Sequence, residues 1–277
     1  MSRQTMTRKA ALVASTAASL ALLSPLHADT FTWNIDGAGN WNDTTKWSPN
    51  TGSPNGVGDE AQFEFNITGN RTITQNVPNL TLGTITFHDL VTNSHTFTIS
   101  VNNSIRMEVA SGSALIRSFN SPSNSAFNTV LAPLVLASNL ILRSDANALR
   151  VAGISETGGA KSVTKTGAGT VDVGGVWEHT GATDVLDGTL SLGEPANRIS
   201  ASSALSVTNS RLQMGSVRRT NPDRLPDTAS ITLAAGNLVH TGDGNTGNSA
   251  QNAREVVGAL TLDLGFNRIQ ASVVSHK

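Results

Sequence analysis

Short runs of alternating apolar and polar residues, separated by glycine, recur along this chain. In the segment 161–173 (KSVTKTGAGTVDV), Val163, Val171 and Val173 share one phase of the alternation, and threonines and an aspartate occupy the other. Side chains alternate between the two faces of a strand, so the valines face one side and the polar residues the other. The intervening glycines allow a tight turn. The pattern predicts short strands joined by sharp corners.

The same strand–turn–strand unit recurs at a spacing typical of solenoids. It is found at 99–107, 205–214, 231–240 and 260–269, and the last three copies begin 26 and 29 residues apart. Repeats of roughly 20–50 residues indicate stacked coils, in which each copy contributes one layer of the core.

We predict that residues 72–277 form an all-β, right-handed parallel β-helix with ~4.8 Å between coils. About 240 residues at ~20–28 per coil would give roughly nine to twelve coils. An antiparallel β-sandwich is the alternative, because it also consists of short alternating strands. The scarcity of two-residue hairpins favours the solenoid. The apolar phase predicts a core that contains Val163, Val171, Val173, Leu190, Leu192, Leu205, Val207, Leu212, Ile231, Leu233, Leu260 and Leu262.

One segment also resembles a known family. The run Thr164–Val171 (TKTGAGTV), followed by Gly188–Leu190 (GTL), is similar to the autotransporter-associated β-strand repeat of bacterial secreted and surface proteins. One clear copy covers residues 161–193. It departs from the family at Val176–Thr183 (VWEHTGAT), where an aromatic residue and paired Gly-Thr are usual. The resemblance implies a passenger-type parallel β-helix exported from a Gram-negative-type cell, and it implies no known chemistry.

Residues 29–71 form a distinct segment rich in tryptophan and glycine. Trp33, Trp41 and Trp47 lie within fifteen residues, and the later run Gly58–Phe63 (GDEAQF) resembles the start of many β-strand-repeat proteins. We expect these tryptophans to cap the open first coil, where apolar edges must be covered. The alternative is a surface on which the indole rings stack against sugars.

Residues 1–28 have the order of a secretory signal peptide. Arg3, Arg8 and Lys9 precede the apolar run 10–23, and Leu26–Ala28 provides a cleavage site before Asp29. The run is shorter than the roughly 18 apolar residues that a membrane span needs. We expect a secreted or cell-surface protein whose mature chain has no membrane span.

Composition excludes several classes of chemistry. The chain has 14% charged residues, no cysteine and a net charge of −1, so we expect no disulfide, no thiolate metal site and no nucleic-acid partner. Asp243, Asn245, Asn248 and Asn252 could hold Ca²⁺, but only one is charged, and a plain loop is the preferred interpretation.

No other residue pattern indicates a catalytic or metal site. His88, His95, His179 and His240 show no metal-ligand spacing and are expected at the surface. We expect no cofactor and no catalytic residue. A polysaccharide lyase or hydrolase remains the enzyme alternative, because its carboxylates and its base could assemble from separate coils.

The expected role is a non-catalytic scaffold or adhesin-like segment, with a carbohydrate-binding module as the alternative. The partners that suit such a role are cell-surface glycans or other surface proteins. The chain stops directly after a strand, without a capping sequence. We therefore expect either a fragment of a longer protein or self-association through the last coil. Three longer stretches between strands, at 120–128, 213–228 and 241–254, are predicted as solvated loops.

Overall fold

Three sheets, called A, B and C here, form the fold. Between residues 60 and 199 successive coils add strands to A, B and C in that order, and the described strands from residue 204 onward join A and B only. Sheet A contains β1 (Thr30–Trp33), β3 (Trp47–Ser48), β4 (Glu60–Phe63), β7 (Thr84–Phe87), β10 (Ser113–Ser118), β13 (Asn139–Ser144), β16 (Val163–Thr166), β19 (Thr183–Val185), β22 (Ala204–Thr208), β24 (Ser230–Ala234) and β26 (Leu260–Leu262).

Sheet B contains β2 (Gly39–Asn40), β5 (Arg71–Thr74), β8 (Phe97–Ser100), β11 (Phe127–Val130), β14 (Ala148–Val151), β17 (Thr170–Val173), β20 (Thr189–Leu192), β23 (Arg211–Met214), β25 (Asn237–Asp243) and β27 (Arg268–Val274). Sheet C contains β6 (Leu80–Leu82), β9 (Ile105–Met107), β12 (Leu134–Leu136), β15 (Ile154–Glu156), β18 (Val176–Trp177) and β21 (Arg198–Ile199). The computed structural model describes residues 28–88, 95–119, 127–146, 148–194, 196–215, 224–243 and 255–274.

The strands pair in parallel from coil to coil, so the protein is an all-β parallel β-helix. Within the described residues, the pairing of β1 with β3 is the one antiparallel exception. The antiparallel sandwich considered as the alternative is therefore wrong. Sheet A has ten parallel strands, and at ~4.8 Å per coil they span about 43 Å.

The predicted repeat spacing is confirmed by the register of sheet A. Leu205 is paired with Ile231, and Ile231 is paired with Leu260, at the intervals found in the sequence. Stacking like positions in this way produces continuous interior columns. One such column contains Phe31, Ala61, Ile85, Ile116, Leu142, Lys165, Val185, Val207, Leu233 and Leu262.

The unit at 99–107 is not equivalent to the later copies. It runs from sheet B (β8) to sheet C (β9), whereas 205–214 runs from sheet A (β22) to sheet B (β23). Both corners join two short alternating strands, so the local pattern is the same. The two strands of each unit join the sheets of the strands they pair with in adjacent coils. The local alternation pattern does not encode that pairing.

Ten of the twelve predicted core residues are buried, but Leu260 and Leu262 are 40% and 58% exposed. Their alternation phase is correct, because they are paired with the buried Ile231 and Leu233. They are exposed because β26 is the last strand of sheet A among the described residues, with no further coil against it.

Stacked strands already begin at Thr30, well before the predicted start of the solenoid at residue 72. Strand β1 pairs in parallel with β4, and β2 pairs in parallel with β5. The tryptophan-rich segment 29–71 therefore belongs to the same sheets as the coils that follow it.

Candidate functional site

The three clustered tryptophans are packed inside the first coils. Trp33 and Trp41 are fully buried, and Trp47 is 1% exposed. The Trp33 and Trp47 rings meet edge to face at 5.1 Å, and the centroids of Trp41 and Trp47 are 5.0 Å apart. Phe63 lies within 6.3 Å of all three indoles and stacks on Phe87 at 5.3 Å. The rings form an aromatic plug over the first coil.

Each indole N–H of this plug is hydrogen-bonded to the backbone. Trp33 Nε1 donates to the carbonyl oxygen of Gly37 at 3.1 Å, and Trp47 Nε1 donates to that of Trp41 at 2.8 Å. Trp41 Nε1 donates to that of Pro54 at 3.0 Å. A sugar-stacking surface needs exposed ring faces, and none of these three indoles provides one. Their burial beside Phe63 is the arrangement expected of a cap.

Lys165 is the one charged member of the sheet A interior column, and it is 1% exposed. Its Nζ donates to the carbonyl oxygens of Thr166 at 3.1 Å and Asp187 at 2.8 Å, and also to that of Gly167. Burial lowers the pKa of Lys165 to about 8, against the attraction of Asp187 and Asp145. The ammonium ties together the A–B corners of two successive coils, a structural role.

A second buried polar group lies where the chain turns from sheet C to sheet A. His179 is fully buried, and its Nε2 is 2.9 Å from Thr183 Oγ1. Thr183 Oγ1 donates to Ser202 Oγ at 3.0 Å, and that hydroxyl is bonded to the carbonyl oxygen of Gly181 at 2.9 Å. Burial lowers the pKa of His179 to about 4, which outweighs the attraction of Glu156. The predicted surface position of His179 is therefore wrong.

Arg224 is 2% exposed, although the segment 213–228 was predicted as a solvated loop. Its Nη1 donates to the carbonyl oxygens of Leu192 and, at 3.1 Å, Glu194. Burial lowers the pKa of Arg224, and the carboxylates of Glu255 and Glu194 oppose this shift. Like Lys165, Arg224 satisfies corner carbonyls from inside the β-helix.

Arginine and phenylalanine side chains meet on the outer face of sheet A. Arg117 Cζ is 4.6 Å and Arg143 Cζ is 6.0 Å from the ring centroid of the half-buried Phe119. The two arginines are adjacent in register on β10 and β13. Arg143 Nε donates to both carboxylate oxygens of Asp145, at 2.8 and 3.0 Å, and Arg117 Nε donates to Thr86 Oγ1 at 3.2 Å. Their guanidinium planes are held in place by these contacts.

The same combination recurs on sheet B in the neighbouring strands. Arg150 Cζ is 4.7 Å from the ring centroid of Phe127, and Arg150 Nε donates to Asp172 Oδ2 at 2.7 Å. Burial raises the pKa of Asp172, although the hydrogen bond and charge of Arg150 oppose the shift. We use the name Arg–Phe surface for both groups, one on sheet A and one on sheet B: Arg117, Phe119, Arg143, Asp145, Phe127, Arg150 and Asp172.

The Arg–Phe surface can recognise a hydroxyl-rich ligand. Arg143 and Asp145 place donors beside acceptors, and adjacent hydroxyl groups of a sugar present the same pairing. Arg143 and Arg150 are paired with Asp145 and Asp172, and Arg117 Nη2 lies 3.9 Å from the carboxylate of Glu60, so the three positive charges are balanced and the surface is not a polyanion site. No group of three or more His, Cys, Asp or Glu placed to hold a metal ion occurs in the described part of the chain. Asn245, Asn248, Asn252 and the side chain of Asp243 lie outside what is described.

The Arg–Phe surface was not predicted from the sequence. Asp172, the carboxylate partner of Arg150, lies 22 residues away in the sequence. The length of one coil could have predicted this contact, because Asp172 is paired with Arg150 on the next strand of sheet B. Lys165 could also have been recognised, because it shares the inward phase of Val163.

Comparisons with protein-family models, curated proteins and solved structures found no match to this chain. Within the described residues, no helix has the length and apolar character needed to cross a membrane.

Proposed function

We propose that this protein is a non-catalytic secreted or cell-surface β-helix scaffold, an adhesin-like segment of the autotransporter passenger type. The observation that carries the proposal is the continuous stack of ten parallel strands in sheet A around an apolar interior. Such a stack is a rigid spacer whose outer faces are available to partners. The repeat at 161–193 and the order of residues 1–28 support an exported role. Residues 1–27 lie outside the described structure.

Surface location is tested in intact cells of a Gram-negative-type host. We expect N-terminal sequencing of recovered protein to begin at Asp29, and an added protease to remove the protein without lysing the cells. A cytosolic product that retains Met1 would contradict the proposal. Incubation with a panel of polysaccharides should release no reducing ends. Release of reducing ends would establish the enzyme alternative.

Carbohydrate binding is the second candidate function, and the Arg–Phe surface favours it. The tryptophans on which this candidate first rested are buried, whereas 51% of the Arg143 side chain is exposed. A glycan chain lying across successive coils would meet Arg117 and Arg143 in turn, with Phe119 beneath them. Neutral glycans suit the balanced charge of this surface.

A glycan array on the mature chain tests this second candidate. We expect saturable binding that Arg143→Ala and Phe119→Ala weaken at least tenfold without loss of fold. Arg211→Ala is the matched control, because Arg211 is an exposed arginine on sheet B outside the Arg–Phe surface. If the chain shows no saturable binding, or if Arg211→Ala weakens binding equally, the carbohydrate-binding candidate is wrong and only the scaffold role stands. A preference for acidic glycans would contradict the prediction that the ligand is neutral.

A further inference from the structure

The predicted cleavage point lies against a buried carboxylate. The backbone nitrogen of Asp29 donates to Asp59 Oδ1 at 3.0 Å, and the other oxygen, Oδ2, accepts from the backbone nitrogen of Asn55 at 3.0 Å. Asp59 as a whole is 8% exposed. Asp29 N is the atom that becomes the α-amino group if the chain is cut after Ala28.

Both partners are held in place by backbone contacts of the first coils. The carbonyl oxygen of Asp59 accepts from the backbone nitrogens of Gly83 at 2.9 Å and Thr84 at 3.0 Å, while that of Asp29 accepts from Glu60 N at 2.8 Å. These contacts fix the backbone on both sides, and the hydrogen bonds from Asn55 N and Asp29 N hold the Asp59 carboxylate between them.

We propose that cleavage after Ala28 creates an ion pair between the new α-ammonium group of Asp29 and the Asp59 carboxylate. This inference rests on the proposed export. A peptidase of the secretory pathway adds water across the Ala28–Asp29 peptide bond, which leaves a carboxylate on Ala28 and an amine on Asp29. The amine takes up a proton at neutral pH. The neutral N–H donor of the precursor thus becomes a charged donor at the same place.

The consequence is that processing stabilises the first coil. A hydrogen bond from a charged donor to a carboxylate is shorter and stronger than one from a neutral amide. Asp59 is removed from solvent, so the pair is screened less than a surface ion pair, although Asp29 itself is exposed. The aromatic plug lies in the same coils, and the ion pair anchors the strand that carries Trp33.

The test compares the mature chain beginning at Asp29 with the same chain acetylated on its α-amino group. Acetylation removes the charge and leaves one N–H donor on the same nitrogen, as in the uncleaved peptide. We expect it to increase the equilibrium constant for unfolding about fivefold to tenfold. In an Asp59→Asn background, acetylation should have no effect. An equal effect in both backgrounds, or none in the parent, would overturn the proposal.

A second measurement needs no variant and covers the case in which Asp59→Asn fails to fold. Pairing raises the pKa of the amine above its unfolded value, so its contribution is present at neutral pH and is lost as pH rises through the folded value. The difference between free and acetylated chains should vanish at high pH. A difference that persists there would contradict an ion pair. N-terminal sequencing tests cleavage separately, so failure of export and failure of the ion pair are distinguishable.

Discussion

Lys165, Thr183 and His179 are among the polar residues buried in the mainly apolar interior. Lys165 can do so because its aliphatic stem occupies a column position between Leu142 and Val185, while its ammonium reaches the carbonyl oxygens at the corner. His179 Nε2 and Thr183 Oγ1 are hydrogen-bonded at 2.9 Å, whereas His179 Nδ1 is buried without a hydrogen-bond partner. Lys165 and Thr183 are therefore tied to their places, whereas the unpaired Nδ1 of His179 costs the fold free energy.

Buried His179 makes stability depend on pH. Its folded pKa of about 4 lies below the ordinary 6.5, so the unfolded chain binds a proton first as pH falls. We expect the free energy of unfolding to fall between pH 6.5 and 4 by up to about 3 kcal/mol from this residue. Denaturant titrations across this range measure the loss.

Variants isolate the contribution of this histidine. In His179→Gln the decline over the same pH range should be smaller, because the amide does not titrate. His88→Gln is the matched control, since the His88 side chain is 39% exposed. An identical decline in the parent and His179→Gln would show that other groups account for it.

At the scale of the strand, neighbouring positions of β20 face opposite environments. Leu190 is fully buried, and Thr189 faces outward beside Arg211. Leu190→Asp should lower the free energy of unfolding by at least about 3 kcal/mol, because it buries a charge. Thr189→Asp should cost less than about 1 kcal/mol. Equal destabilisation, measured by denaturant titration, would refute the assignment of faces.

The corners between strands depend on glycine where two coils approach closely. Gly188 has φ +61°, and a Cβ there would lie 2.6 Å from Lys165 Nζ and against the carbonyl oxygens of Gly167 and Gly169. Gly158 has a similar φ of +69°, but a Cβ there would meet nothing within 4 Å. The two positions share the backbone strain and differ only in crowding.

Alanine substitutions separate these two effects. Gly158→Ala should cost about 1–2 kcal/mol from left-handed backbone strain. Gly188→Ala should cost at least about 2 kcal/mol more, because the corner must open. Thermal or denaturant unfolding measures both. If both variants lose a similar amount of unfolding free energy, the close approach of the neighbouring coil at Gly188 adds no cost to the backbone strain.

At the scale of the whole molecule, the described chain presents an apolar end. Leu264 is 88%, Phe266 85% and Ile269 55% exposed, and β26 and β27 are the last described strands of their sheets. Open strand edges beside apolar side chains favour pairing with another chain. We propose that a second copy of this protein covers this end, because it offers the same two edges and a symmetric contact can close on itself.

Sedimentation over a range of concentrations tests this contact. The parent should show a mass that rises with concentration toward a dimer, and the double variant Leu264→Ser with Phe266→Ser should stay monomeric with unchanged stability. Val101→Ser is the control, because Val101 is 58% exposed away from this end. A monomeric parent, or equal loss of dimer in the control, would contradict the proposal.

The sequence alone determined the class of fold and much of its core. Alternation fixed which residues of β16, β17, β20, β22 and β24 face inward, because side chains must alternate along a strand. The interval from Leu205 to Ile231 to Leu260 fixed the stacking of these coils, since like positions superpose in a repeat.

Tertiary structure decided which side chains meet across coils and which are covered. Arg150 reaches Asp172, and Asp29 reaches Asp59, only because whole coils of unequal length bring them together. Local alternation assigns a face to each residue but does not reveal whether another coil covers that face. Segments distant in the chain cover His179 and Arg224, so these residues are buried. No described coil covers Leu262, so it is exposed.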